Sequence, residues 1–255
     1  MPLSPATWIL LEKAATDNGF DVEGPRIDDW RTYSSSQCPL RIWLSTADGD
    51  EFLVAFSMWS VHEGLSGCGR PVETPLPPGA AAARSDGCIN NIHAMLRRAF
   101  QLARALPDAP LQLFYQRTAH LPRSTESERL VIQRVGQDIF RARLIDLWDG
   151  RCAITGLALV DLLLASHIKA WSQCENDEER LCVFNGLLLA PHYDKLFDRG
   201  YLTIGNDGRL ILAAALDAAA QAALGLDETL RVRKLQPEHQ HFLDWHREKV
   251  FKGGE

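Results

Sequence analysis

The sequence predicts an α+β protein in two parts: an N-terminal α+β domain over residues 1–120 and a second domain over 121–255. Three observations support this. The chain has 255 residues, which at roughly 150 per domain gives one or two domains. It is 46% hydrophobic and 24% charged, the balance of an ordinary folded protein rather than a disordered or fibrous one. Its apolar residues occur both in strand-length runs and at helical spacing.

Residues 7–16 have the spacing of a first helix. RIWLS (41–45) and FLVAFSMW (52–59) read as strands joined by a turn at Asp48-Gly49-Asp50. The stretch 64–87 is rich in Gly and Pro and reads as a long loop or flexible arm. Residues 89–106 are helical in spacing, with Arg97, Arg98 and Arg104 to one side; Pro107 and Pro110 stop that helix. LQLFYQ (111–116) fits a strand. Ser124 or Thr125 caps the next helix, with Glu126 and Glu128 in its first turn, running to about Asp149. The domain boundary falls near 118–124.

After residue 150, RCAITGLAL and LLLASHIKAW read as strand, turn, strand, followed by the polar loop SQCENDEERLCVF. NGLLLA is a short strand, and PHYDKLFDRG a helix with Pro191 in its first turn and Gly200 at its end. YLTI and RLILA form a hairpin around Gly205-Asn206-Asp207-Gly208. LDAAAQAALG is a helix closed by Gly225, LRVRKL a strand, and Pro237 opens a final helix through about Val250.

The net charge of −6 argues against an indiscriminate binder of nucleic acid or anionic membrane. That total hides a gradient. Residues 1–83 carry net −6 and residues 144–255 net −5, while residues 84–143 hold ten arginines, no lysine and five acids, net +5. Arginine suits forked contacts to phosphate, although a charge run is usually a solvated face. No run reaches the roughly 18 apolar residues of a membrane span, and the N-terminus lacks a basic start, so neither a membrane partner nor a signal peptide is expected. Six cysteines in a chain of this size suit reduced thiols and a cytoplasmic location.

The chemistry-bearing set is Ser166-His167, Asn185-Gly186, His192 and Asp194. The predicted order is a strand ending on His, a loop, a strand opening on Asn, and a helix bearing His and Asp. It sets the strand end against the helix start. Imidazole, with an unperturbed pKa near 6.5, suits a general base, so His167 is the candidate to deprotonate water. His192 and Asp194 make half a shell for a divalent cation that stabilises the phosphate and the departing oxyanion. Asn185 holds the loop or orients His167. Taken singly, each has a plainer reading: a satisfied structural histidine, a turn asparagine, a helix cap.

Residues from about 125 to 250 resemble the HNH endonucleases of the non-zinc bacterial type, a branch of the ββα-metal nucleases. The matching stretches are QRVGQDIFRARL (133–144), RCAITG (151–156), LLLASHIKAW (162–171), ERLCVFNGLLLAPHYDKLFDRG (179–200) and LDWHREKVF (243–251). The resemblance implies a C-terminal ββα-metal (HNH) nuclease domain with flanking helices. It also implies hydrolysis of DNA phosphodiesters with Mg²⁺ or Mn²⁺, with Ni²⁺ or Zn²⁺ also admitted by imidazole ligation. On it, the general base falls on His167, the asparagine on Asn185, and the helix metal ligands on Asp194 and His192. Many relatives carry Asp before the base; Ser166 stands there in this chain, leaving one ligand to Asp161 or Asp198 or to neither. Paired Cys-x-x-Cys motifs are absent, so no structural zinc is expected.

In the context of a nuclease, Arg134, Gln137 and Arg141 lie on one face of the helix that enters the module, placed to grip phosphates. Lys169, Lys195 and Arg199 flank the site and are candidates for the same role. Four tryptophans (8, 30, 43, 59) fall in the first 60 residues; they suit a hydrophobic core better than a pocket for a flipped base. The N-terminal part then sets target choice or regulation, as in a restriction or phage-defence enzyme, and a homodimer suits double-strand cutting. The competing reading is a non-catalytic DNA-binding protein that keeps the fold.

Overall fold

A computed structural model describes residues 5–47, 51–106, 109–122, 124–227 and 229–253. The predicted turn at Asp48-Gly49-Asp50, and Pro107, lie outside them. The architecture is mixed α+β, as predicted. The chain divides into two compact units, Met1–Ala109 and Pro110–Glu255. The division falls about ten residues before the predicted one, because 111–116 is not a strand. It belongs to a helix whose buried residues, Pro110, Phe114 and Thr118, recur every fourth position.

The first unit is built on α1 (Pro5–Asp17), β1 (Val22–Ile27), β2 (Trp30–Ser34), β3 (Arg41–Ala47), β4 (Glu51–Phe56), α2 (Trp59–Gly64), β5 (Arg70–Val72), β6 (Ala82–Asp86) and α3 (Ile89–Ala105). The strands form one antiparallel sheet in the order β1-β2-β3-β4-β6-β5. Strand periodicity sends Ile42, Leu44, Val54 and Phe56 to one face, where α3 packs with its apolar stripe of Ile92, Met95, Leu96, Ala99 and Leu102. Trp30, Trp43, Leu53, Ala55 and Ala83 form a second core cluster on the opposite face. The four early tryptophans therefore line no common pocket: Trp30 and Trp43 are core, Trp8 lies under the Arg31 guanidinium at 4.3 Å, and Trp59 is 56% exposed.

The expected loop at 64–87 is instead two strands and their connections. β6 is an inner strand despite its weak β-formers, because tertiary pairing overrides propensity. Arg84 is buried there, and its guanidinium donates to the carbonyls of Cys68 (2.7 Å), His62 and Gly69 (both 3.3 Å), clamping the connection to the sheet.

The second unit opens with α4 (Ala109–Thr118) and α5 (Glu126–Leu147). Thr125, rather than Ser124, is the N-cap of α5: its hydroxyl accepts from Glu128 N at 3.2 Å and the Glu128 carboxylate accepts from Thr125 N at 2.8 Å. The predicted strand at 151–159 is a tight turn, since Gly156 at φ +74° folds the chain back; bonds from Ala153 N to Leu188 O (2.7 Å) and from Ala190 N to Cys152 Sγ (3.4 Å) tie it to the later strand at 186–189. Then come β7 (Leu164–His167), α6 (Asp177–Leu181), β8 (Gly186–Leu189), α7 (Pro191–Asp198), the hairpin β9 (Leu202–Ile204) and β10 (Leu210–Leu212), α8 (Ala218–Ala223) and α9 (Gln240–Lys249). α6 sits inside the expected polar loop. The expected strand at 230–235 is reduced to a single bridge, Arg209 to Arg231.

β7 and β8 pair antiparallel, Leu164 opposite Leu189 and His167 opposite Gly186. α5 packs on both strands and α7 on β7. Gly186 is extended, so its need is for space: a Cβ there would lie 2.5 Å from Phe140 Cζ and 2.8 Å from Leu144 Cδ1. Gly186→Ala is expected to cost about 1–3 kcal/mol by overpacking, measurable as a lowered midpoint in urea.

Candidate active site

His167 closes β7 and turns toward α5. Its ring stacks on Phe140 with centroids 3.7 Å apart and planes at 15°, and meets the Trp171 ring edge-on at 5.6 Å and 89°. Its Nε2 lies 2.9 Å from the carbonyl of Arg180. A carbonyl only accepts, so Nε2 carries the proton and Nδ1 keeps the lone pair. Burial pushes the imidazole pKa down to about 4, against a smaller opposing effect of that bond, so the ring is neutral at pH 7.

The side-chain hydrogen bonds of Asn185 go to groups other than the His167 ring. Asn185 is fully buried, just before β8, where its Oδ1 accepts from Lys169 N at 2.8 Å. Its Nδ2 donates to the carbonyls of Lys169 and Glu179, both at 3.1 Å. Asn185 thus ties the loop before α6 to the sheet, and the next carbonyl along, that of Arg180, fixes the tautomer of His167. Arg180 completes the loop through Asp177 (2.9 Å) and the carbonyl of Cys174 (2.9 Å).

On the other side of β7 a second group assembles. Strand alternation turns Ser166 away from His167. The Ser166 hydroxyl is buried and lacks a hydrogen-bond partner of good geometry, yet it lies close enough to the Asp194 carboxyl to favour its ionised form. Burial nonetheless raises the Asp194 pKa, with Ser166 and Lys195 opposing. Asp198, one turn along α7, is also raised, first by burial and then by the Asp194 charge. A half-buried Asp194 carboxylate beside an unsatisfied hydroxyl, with the more exposed Asp198 carboxylate close enough to repel it, fits a hard divalent cation, which would relieve that repulsion.

His192 does not join them. It is two residues from Asp194, which turns it about 200° around the helix, and it is exposed against the Tyr193 ring at 4.3 Å. The predicted His192–Asp194 half-shell is therefore not formed; Asp198 is the residue that shares the Asp194 face. Asp161 is exposed in the turn before β7. Among the described residues no three His, Cys, Asp or Glu side chains converge as a ligand group.

The predicted phosphate contacts divide. Arg134 and Gln137 are exposed on α5, and Lys195 and Arg199 are exposed on α7. Arg141 instead donates to the carbonyls of Leu163 (2.6 Å) and Val160 (3.1 Å), holding the entry to β7. Lys169 is paired with Glu179 at 2.8 Å, and its side chain is 11% exposed. Both are tied to the protein rather than offered to a strand.

The residues that sequence reasoning missed are Phe140, Trp171, Glu179 and Arg180, which together hold His167 and its loop. One signal was present: Asn176 followed three positions later by Glu179 is a helix-start pattern, and Asn176 does cap α6, accepting from Glu179 N at 2.8 Å.

No curated protein matches the chain. Residues 152–205, which span β7, β8, α7 and β9, match the family model described as HNH endonuclease, so this stretch is similar to that nuclease family, as its sequence resemblance implies.

Proposed function

We propose that the protein is a metal-dependent DNA endonuclease that hydrolyses phosphodiester bonds with His167 as general base. The observation that carries this is the pairing at the end of β7. A neutral, tautomer-fixed imidazole and a hydroxyl beside the Asp194 carboxylate sit on consecutive residues, roughly 3.8 Å apart at Cα. Asp194 and Asp198, with Ser166, hold Mg²⁺ or Mn²⁺ in this reading. When bound, the cation supplies charge stabilisation to the phosphate and the leaving oxygen. His167 Nδ1 takes the proton from the attacking water, and Arg180 O holds Nε2–H while Nδ1 does so. Arg134, Gln137, Lys195 and Arg199 contact strand phosphates and set the register of the cut.

A second reading, a DNA-binding protein without activity, is favoured by one feature: the His167 ring rests on Phe140, on the α5 side of β7, away from Asp194. The two readings separate on supercoiled plasmid with Mg²⁺ or Mn²⁺. Nicking or linearisation that EDTA stops supports the nuclease; retardation of DNA without any cut supports the binder. The metal site has its own test. Asp194→Asn removes a charge that burial disfavours, so it is expected to raise the melting temperature of the metal-free protein by about 2 °C. Mn²⁺ is expected to stabilise the parent protein further and to leave the variant unmoved, read by calorimetry.

The role of the first unit in target choice or regulation belongs to this proposal. So do a restriction or phage-defence context, a cytoplasmic location and a homodimer for double-strand cuts. Among the described residues no helix is long and apolar enough to cross a membrane.

A further inference from the structure

The second unit contains a cleft of about 420 Å³ lined by Phe114, Arg129, Ile132, Gln133, Trp171, Asp177 and Arg180. None of these residues belongs to the proposed cation group. Its walls are of two kinds. Phe114, Ile132 and the partly exposed Trp171 ring give an apolar, aromatic side. Arg129, Gln133, Asp177 and Arg180 give a polar rim whose arginines outnumber its one acid. Arg180 is already braced, with Asp177 at 2.9 Å and its guanidinium 6.0 Å from the Trp171 ring centre, so this wall is preformed.

The cleft is close to His167. Trp171 is wedged between α5, where a Cβ on Gly136 would meet it at 2.6 Å, and the His167 ring, which it meets edge-on. Along α5 the path from Gln133 in the cleft to Phe140 beneath His167 is seven residues, about 10 Å of helix rise. Arg129 and Gln133 also lie in the arginine-rich stretch 84–143, whose net charge is +5.

We propose that this cleft takes one unpaired nucleobase of the strand being cut, within a few nucleotides of the scissile phosphate. The proposal rests on the nuclease reading for its substrate. An aromatic and aliphatic wall accepts the face of any base; the Gln133 amide offers a donor and an acceptor, and the Asp177 carboxylate an acceptor, to its edge; and the positive charge of the rim suits the anionic backbone on either side, with Arg180 held in the wall by Asp177 and the Cys174 carbonyl. A base seated there bears on Trp171, the ring that buttresses His167, so engagement of the strand and alignment of the base are mechanically joined.

The test compares binding of a short single-stranded oligodeoxynucleotide with an abasic deoxyribose-phosphate chain of equal length and charge, by fluorescence anisotropy in EDTA. The intact protein is expected to favour the base-bearing strand by about tenfold or more, the scale of one base stacking on an aromatic side chain. Ile132→Trp and Gln133→Trp each fill the cleft without altering His167 or the carboxylates. In whichever of them keeps the parental melting temperature, the preference is expected to fall toward one while the salt dependence, which counts phosphates, stays unchanged. No preference in the intact protein, a preference that survives in both folded variants, or an equal loss for both ligands overturns the proposal. Plasmid cleavage is scored separately. A protein that never cuts but loses its base preference on filling keeps the cleft and sinks the nuclease reading, and one that cuts without any preference does the reverse.

Discussion

Replacing His167 by alanine is expected to slow metal-dependent DNA cleavage by about 10² to 10⁴-fold, the range for loss of a positioned general base. DNA affinity, measured in EDTA, is expected to change little, because no phosphate contact is assigned to that ring. The structure adds a pH expectation. An imidazole held down to about 4 is already deprotonated at pH 6, so the limb of the rate profile due to His167 lies well below the usual histidine range. A rate that rises through pH 6.5 would mean that the ring leaves its place on Phe140 and meets solvent before it acts. Cleavage that persists undiminished in His167→Ala would remove His167 from the chemistry altogether.

The second large effect concerns acid. His239 and His246 are both essentially unexposed, and burial brings the pKa of each down to about 4. His246 stacks on Phe197 at 3.8 Å, accepts from the Thr203 hydroxyl at 2.9 Å through Nδ1, and donates from Nε2 to Phe197 O at 3.1 Å. A folded-state pKa below the unfolded value means that the unfolded chain binds more protons. The associated stability is therefore complete above about pH 6.5 and is lost as pH falls toward 4. At about 1.4 kcal/mol per pKa unit, the two together cost on the order of 4 kcal/mol by pH 5. Denaturant titrations at pH 7 and pH 5 should show that loss in the second unit. His246→Gln, which cannot charge, should be less stable at pH 7 yet lose less on acidification. Equal losses in parent and variant would show that His246 is not buried neutral.

The sequence made the scaffold of the second unit legible where local chemistry and packing agree. The capping box at Thr125, Pro191 at the start of α7 and Gly200 at its end all act within a few residues of themselves, and the helices stand where those signals put them. It was least legible where distant pairing decides. AARSD became an inner strand because β4 and β5 flank it, and LQLFYQ became a helix because Phe114 and Thr118 bury together. At the site, residue types pointed to His167 and Asp194, but spacing misled on His192: two helical positions look adjacent in a sequence and diverge in space. Lys169 shows a related limit. A lysine beside a base reads as a phosphate clamp, and only the fold reveals that Glu179 occupies it.

The ties between α7 and the last helix bear on how the site can be isolated. His246 on α9 donates to Phe197, a residue 49 positions earlier and next to Asp198, while Lys252 N bonds Gly200 O at 2.9 Å. Gly200 has φ +72°, and a Cβ there would collide with the Val250 carbonyl, so the two chain segments are in contact at that point. The helix bearing both carboxylates thus leans on residues far beyond it, much as a bracket leans on a strut. A fragment trimmed at the end of β9 would keep every candidate reacting group and lose the brace against α7, so on the nuclease reading a minimal active piece has to extend through residue 252.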